Sequence, residues 1–339
     1  MDLYARARTS IRAWLKETPL PPAGDAHPHF QFWHQYDPNV QQWIPTYSDA
    51  TSNDHPEPVR GNDPSNLVLL TWNIDAGASR VQERVTEILT YITQLNHPVD
   101  ILFLQEVSHP ALQQLLQDER IRGSWLSSEP DGATWNGRPF TTVTLLSKAR
   151  LALYAGSNTH NIVVGPVWRV KFPSHFARDA LCCDIFVPSR SEAEASCATR
   201  VRLVNVHLDS LPIKPSHRPR QISIVSSLLR AAGRGLVAGD FNPLLDEDIE
   251  LLEFNGLTDA WTSLHPQEPG YTWGLDGQQP FPPNRLDKIG TLGLTASTIE
   301  ILEPKRVGHT FIPDQTLTDD APLWSDHHGL LLSFRLAEE

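Results

Sequence analysis

Sulfur is scarce in this chain, with three cysteines (Cys182, Cys183 and Cys197) and one methionine among 339 residues. Three cysteines cannot build a disulfide framework. With no Cys-x-x-Cys pair, a thiolate zinc cage or a dithiol redox centre has no support either. Apolar runs are short, and none approaches the ~20 residues needed to cross a bilayer, so no membrane association is expected. The opening residues, Met-Asp-Leu-Tyr-Ala-Arg-Ala-Arg, contain no apolar core of a secretory signal. The expectation is a protein of a reducing compartment, nuclear and/or cytoplasmic, and not secreted. Positive charge is in the minority: Lys+Arg 28 against Asp+Glu 40 gives 28 − 40 = −12. That argues against broad adhesion to polyanions. Nucleic acid stays open as a partner, because an acidic site holding a divalent cation presents a local positive centre.

What is present describes an ordinary globular chain, 40% hydrophobic and 20% charged. Residues 1–17 space Tyr4, Ile11, Trp14 and Leu15 as an amphipathic helix would. Residues 18–66 are proline-rich and carry Phe30, Phe32, Trp33, Tyr36, Trp43 and Tyr47. Aromatics are costly in water, so the Phe30–Tyr47 segment is expected to dock on the body or to serve a protein partner. Thr51–Ser65 reads as a linker. From Asn66 onward, strand-like runs alternate with helical periodicity. Strands are expected at Leu67–Trp72, Val99–Val107, Thr141–Ser147, Ile162–Phe172, Ala180–Val187, Val201–Leu208, Gly235–Asn242, Leu286–Gly290, Thr298–Pro304 and Gly329–Leu336. Helices are expected over Val81–Leu95, Pro110–Glu119 and Arg220–Ala232. Alternation mixed with hairpin-like runs points to α/β sheets with helices outside. The division is residues 1–65 as an extension with linker and 66–339 as one catalytic domain.

Several apolar strands end in polar clusters. Leu67–Thr71 leads to Asn73 and Asp75, Ile101–Leu104 to Gln105 and Glu106, and Val204–Val206 surrounds or precedes Asn205, His207, Asp209 and Ser210. Leu236–Ala238 leads through Gly239 to Asp240 and Asn242, which would share a face of an extended strand. Asp287 lies between Leu286 and Ile289, and Ser325-Asp326-His327 precedes the last strand. Each cluster alone also fits a structural role. Glu106 fits a solvated strand end, His207 a satisfied sheet histidine, and Ser325–His327 a side-chain-capped turn. Collected on one sheet rim they would form a site. Oxygen donors there suit a hard cation such as Mg²⁺, which needs only one or two carboxylates.

In sequence order, Thr71-Trp72-Asn73, Leu104-Gln105-Glu106-Val107, His207-Leu208-Asp209-Ser210, Gly239-Asp240-Phe241-Asn242, Arg285-Leu286-Asp287-Lys288-Ile289 and Ser325-Asp326-His327 resemble the endonuclease/exonuclease/phosphatase superfamily. Within it, Thr71–Asp75, Tyr271-Thr272-Trp273 and Ser325–Leu330 are most similar to the tyrosyl-DNA phosphodiesterase 2 family. Apurinic endonucleases tend to carry Glu-Thr-Lys at the glutamate, and the Trp-Cys-Asp-Arg motif of inositol phosphatases is missing. The resemblance implies a DNase-I-like four-layered α/β sandwich of two packed mixed sheets with outer helices. It implies hydrolysis of 5′-phosphotyrosyl linkages at DNA ends with Mg²⁺, or Mn²⁺ in its place.

By the same resemblance, Glu106 is a metal ligand, with Asn73 and Asp326 in or near its shell. Asp240, helped by Asn242, handles the attacking water. His207 and His327, the latter oriented by Asp287, act on the phosphoryl oxygens, and Asn73 counts among the catalytic residues. Trp273, unless it packs in the core, and Arg178 would contact substrate. Two positions depart from the family pattern. Phe241 stands where the family has Thr, and Leu244 where it has Arg. Gly-Asp-Phe-Asn also occurs in deadenylases, so another nuclease of the superfamily, deadenylase-like or apurinic-endonuclease-like, is one alternative reading, and the missing Arg at Leu244 makes a catalytically weak scaffold another.

Overall fold

Central strands buried on both faces sort this chain into layers. The computed structural model describes residues 27–46, 66–135, 137–153, 162–188, 198–308 and 321–336. The early strands are β1 (Pro28–Gln31), β2 (His34–Asp37), β3 (Gln42–Pro45), β4 (Asn66–Asn73), β5 (Ile101–Ser108), β6 (Trp125–Ser127), β7 (Phe140–Ser147) and β8 (Leu151–Ala152). They are followed by β9 (Ile162–Lys171), β10 (Asp179–Pro188), β11 (Ala198–His207), β12 (Gly235–Asp240), β13 (Thr258–Asp259), β14 (Asp287–Leu292), β15 (Leu294–Leu302) and β16 (Gly329–Leu336). The helices are α1 (Val81–Thr93), α2 (His109–Gln117), α3 (Glu119–Ser124), α4 (Arg218–Ala232), α5 (Leu251–Phe254) and α6 (Ala260–Leu264). None of the described helices is long and apolar enough to cross a membrane.

One sheet runs β1-β9-β10-β11-β12-β14-β13 with β8 beside β9, and the other runs β15-β16-β4-β5-β7-β6-β2-β3. Successive residues of a strand face opposite ways. In β4, Leu67 and Leu69 therefore enter the core between the sheets, with Phe103, Leu203, Leu236 and Leu332. Val68, Leu70 and Trp72 face outward onto Val85, Ile88 and Leu89 of α1. On the far side, Val204, Val206 and Val237 pack against Ile222, Val225 and Leu229 of α4. The result is the expected four-layered sandwich.

The segment read from sequence as an extension supplies strands to both sheets. Pro28–Gln31 pairs with β9, and the β2–β3 hairpin meets β6 through His34 opposite Ser127. Its aromatics dock on the body: Trp33 is buried, and the Trp43 indole donates to Leu116 O. Arg122 lies over the Tyr36 ring. Phe30 at 40% and Phe32 at 53% exposure remain open to solvent. The expected helix at 1–17, the linker at 51–65 and Tyr47 lie outside the described residues.

Register sets where the site forms. β11 and β12 are parallel, with His207 opposite Asp240, and antiparallel β14 puts Asp287 opposite Asp240. β4 and β5 are also parallel, and their pairing ends at Asn73 opposite Gln105. β16 runs antiparallel to β4 with Leu330 opposite Thr71, so the residues just before β16 lie against Trp72 and Asn73. Gly239 fits where other residues would not. Its φ is +140°, and a Cβ there would stand 1.9 Å from Val206 O.

Candidate active site

At this rim the two sheets are joined by amides. Gln105 Nε2 donates to Thr71 Oγ1 (3.0 Å) and Asn205 Oδ1 (2.8 Å), and Asn205 Nδ2 donates to Val143 O (3.0 Å). Above this bridge the ends of β4, β5, β11, β12 and β14 converge. Asn73 Nδ2 lies 3.1 Å from Asp240 Oδ2 and 3.4 Å from Glu106 Oε1. His207 Nε2 lies 3.3 Å from Asp240 Oδ2 and 3.9 Å from Glu106 Oε1. His327 Nδ1 is 2.8 Å from Asp287 Oδ2, while its Nε2 faces Asp240 Oδ2 at 4.0 Å. Six residues named from scattered motifs thus share one cluster.

Backbone and second-layer contacts hold this geometry. Glu106 sits at a bulge of β5 against β7 with φ +55°, a left-handed conformation that is strained for a non-glycine residue. The twist aims its carboxylate out of the sheet, where the side chain keeps 23% exposure and Oε2 accepts the Ala76 N–H (2.9 Å). Ser325 Oγ donates to Asn73 O (2.6 Å) and accepts the His327 N–H (3.0 Å). The Trp72 indole donates to His327 O (2.9 Å).

Sequence reasoning missed Arg84. It is buried on the inner face of α1, and its guanidinium donates to Ile74 O (2.7 Å), Asp75 O (2.7 Å) and Trp324 O (2.6 Å). It clamps the chain after Asn73 to the chain before Asp326. Asn205 was also missed as a connector between the sheets. An Arg among the apolar positions of α1 was the one signal available for the clamp.

Electrostatics set the cluster's proton inventory. Burial raises Asp240 to about 7; Asp287 and Glu106 add to the rise, while His327 and the Asn242 N–H oppose it. Burial works against a charge on His327, yet Asp287 beside it, with Asp240 and Asp326 nearby, lifts it to about 10. Burial, then Arg178 and His327, drive His207 well below 6.5. The rim therefore holds one imidazolium, one neutral imidazole and a carboxylate that titrates near neutrality. His207 Nε2 meets both a guanidinium, which can only donate, at 3.1 Å and the Asp240 carboxylate at 3.3 Å.

Three expectations change in detail. Asn242 does not continue the strand: β12 stops at Asp240, and Asn242 adopts φ +45° with its N–H on Asp240 Oδ1 (3.0 Å). The same-face argument fails because it needs extended backbone. Asn242 is instead brought in by an Asx turn, its Nδ2 buried without a hydrogen-bond partner among the described residues. Asn73 turns its amide nitrogen to the carboxylates while its Oδ1 accepts the Asp75 N–H (3.0 Å), which suits a donor and not a metal ligand. Asp326 Oδ2 accepts from the Trp273 indole (3.0 Å), so these two act on each other. Trp273, half-buried, bridges to the backbone of His327 and Asn284.

Arg178 reaches the cluster through His207 and also touches Ser210 Oγ (3.0 Å). It lies over the Phe140 ring, and these residues with Phe176 and Arg138 line an adjoining cleft. Phe241 is fully buried against α4 and away from the chemistry, so its replacement of the family Thr is a packing change. Both described cysteines lie buried in β10. Around Glu106 the donor set is carboxylate oxygen, which suits a hard divalent cation.

The profile of the Endonuclease/Exonuclease/phosphatase family matches residues 70–327, and the chain belongs to that family. Its members are hydrolases of phosphodiester bonds that generally use divalent metal ions. Among solved structures, a humanized D. rerio TDP2 carrying 14 mutations is similar at TM-score 0.60 and 20% identity, over 80% of this chain and 99% of that one. D. rerio TDP2 complexed with single-strand DNA product gives 0.58 at 20% identity, over 80% and 99%. Truncated Caenorhabditis elegans TDP2 gives 0.57 at 20% identity, over 80% and 97%. A search of curated proteins returns no match.

Proposed function

We propose that this protein is a Mg²⁺-dependent phosphodiesterase, able to use Mn²⁺, that cleaves 5′-phosphotyrosyl bonds at protein-linked DNA ends. The observation that carries the reading is an imbalance around Asp240. Arg178 Nε and Asn242 Nδ2 are buried donors without hydrogen-bond partners among the described residues, and Asp287 Oδ1 is a buried acceptor without one. Buried donors are ordinarily satisfied, and a phosphoryl group offers the acceptors they need. Asp240, held near 7, is matched to take a proton from water at neutral pH.

In the reaction Asp240 accepts a proton from the attacking water while Asn242 and Asn73 fix its direction. The oxygen of that water bonds to phosphorus as the bond from phosphorus to the tyrosyl oxygen breaks. His327, cationic and oriented by Asp287, and Arg178 with His207 stabilise charge on the phosphoryl oxygens. The tyrosine oxygen departs as a phenolate of pKa about 10, an easier leaving group than a sugar alkoxide. A divalent ion held by Glu106 would supply Lewis-acid stabilisation of the same charge. Asp326 carries Trp273, which in turn would stack on a single-stranded end. The six ordered motifs and the fold shared with TDP2, solved elsewhere with single-strand DNA product, support this substrate class. The setting that follows is DNA repair, in the nucleus or cytoplasm.

The test is turnover of a 5′-tyrosyl oligonucleotide, an abasic duplex and poly(A) RNA side by side, with and without Mg²⁺. We expect metal-dependent release of tyrosine with the first substrate preferred. Preference for poly(A) or the abasic duplex would refute the substrate, and no metal-dependent turnover on any of them would refute the enzyme.

A further inference from the structure

On the α4 side of the rim stands a second cluster, distinct from the one described. His175 follows β9, Asp209 follows β11, and His217 precedes the first residue of α4. One nitrogen of each imidazole and one Asp209 oxygen lie within 4.8 Å of one another. The two rings stack, centroids 4.2 Å apart and planes 10° apart. His217 Nδ1 is buried without a hydrogen-bond partner among the described residues and stands 3.5 Å from Asp209 Oδ2.

From this we infer that His175, Asp209 and His217 form a site for a borderline transition-metal ion, Zn²⁺ above all. Two imidazoles and a carboxylate are a zinc ligand set that leaves one coordination position open, whereas Mg²⁺ and Ca²⁺ favour all-oxygen sets. Ligand atoms around tetrahedral Zn²⁺ stand roughly 3.3 Å apart, so the cluster must contract. His175 is exposed, so the contraction is a turn of its ring off the stack with His217.

The outer contacts are those of a built ligand. Asp209 Oδ1 accepts from Gln221 Nε2 (2.9 Å) and the Ser174 hydroxyl, and Oδ2 accepts the His175 N–H (2.9 Å). All three donors are neutral. They orient the carboxylate, as such partners do for metal ligands, while the nearby Arg178 guanidinium shares its charge. Ser174 Oγ also accepts the N–H groups of Phe176 (2.9 Å) and Arg178 (3.0 Å). An ion here would therefore steady the turn from which Arg178 reaches His207.

The test is Zn²⁺ titration of the full chain by calorimetry, with Mg²⁺ in large excess, alongside Co²⁺ absorption as a report of tetrahedral coordination. About one equivalent should bind, and the Co²⁺ band should be intense. His175→Ala and His217→Ala should each weaken binding by about tenfold or more, on the scale of losing metal-site support. Glu106→Gln should leave it unchanged. His175 is exposed, so its variant keeps the fold even where His217→Ala does not. Failure to bind Zn²⁺, wild-type affinity in both histidine variants, or loss only in Glu106→Gln would overturn the inference. Each outcome is independent of whether the chain cleaves phosphotyrosyl DNA.

Discussion

Two groups of buried charges in this molecule are built by opposite rules. Between β10 and β11, Arg202 and Asp184 pair at 2.8 and 3.0 Å, and the remaining guanidinium nitrogen donates to Leu228 O. Arg169 is likewise shared between Glu129 (2.8 Å) and Asp179 (2.7 Å). In both networks every charge meets its opposite. At the rim, Asp240 and Glu106 face one another's charge, and among the described residues buried polar atoms of Arg178, His207, Asn242 and Asp287 are left unpaired. Satisfied charges hold elements in register, whereas unsatisfied ones are kept for something that arrives. The same sandwich contains both, separated by a few strands.

That contrast should separate stability from activity. Asp184→Ala leaves Arg202 buried and unpaired, and should cost about 3–5 kcal/mol in urea unfolding while the folded fraction keeps its specific activity. Asp240→Asn should do the reverse. It removes the proton acceptor and should lower Mg²⁺-dependent hydrolysis of a 5′-tyrosyl oligonucleotide by at least about two orders of magnitude. Because it also relieves carboxylate repulsion, its melting temperature should not fall. Near wild-type turnover in that variant would remove Asp240 from the mechanism.

Asp287→Asn should have a smaller effect, about tenfold or more on kcat, with a diagnostic sign. The Asp287 charge helps lift His327 to about 10 against its burial. Without that charge the imidazolium is lost at lower pH, so the alkaline limb of the pH–rate profile should move down. An unmoved limb would mean that His327 does not act as a cation.

The smallest effect concerns a satisfied carboxylate far from the rim. Burial raises Asp100 from 3.8 to about 6, although Val68 N–H and Arg150 lean the other way. The folded state then binds more protons than the unfolded state between those values. Stability contributed at this position therefore falls as pH rises from 3.8 through about 6. Asp100→Asn should abolish that part of the slope, measured as the difference in urea midpoint between variant and wild type across the window.

The fold was largely legible because its signals are local. Leu67–Trp72, Gly329–Leu336 and the periodicity from Val81 appear as strands and a helix within a residue or two of expectation. The strands in Pro28–Pro45 were not legible. They are four residues each, β1 and β3 contain proline, and β1 and β2 find their partners on the body, β9 and β6, far along the chain, so no local period marks them. The site was legible as residue types and not as geometry. Asp240 and Glu106 stand out at strand ends, but Asn242 arrives through a left-handed turn that strand periodicity does not foresee. Arg84 was hidden because its hydrogen bonds go to backbone carbonyls, which no sequence pattern records.

The sequence by itself determined the layers and the inventory, since continuous apolar strand runs must be covered on both faces and polar strand ends have nowhere to go but a rim. Tertiary structure alone decided what those polar groups are. Parallel pairing of β11 with β12, and antiparallel β14, set His207, Asp240 and Asp287 side by side. Only burial there, beside one another's charges, makes one imidazole cationic, another neutral and a carboxylate poised near 7. Protonation depends on distance and solvent, and neither is written along the chain.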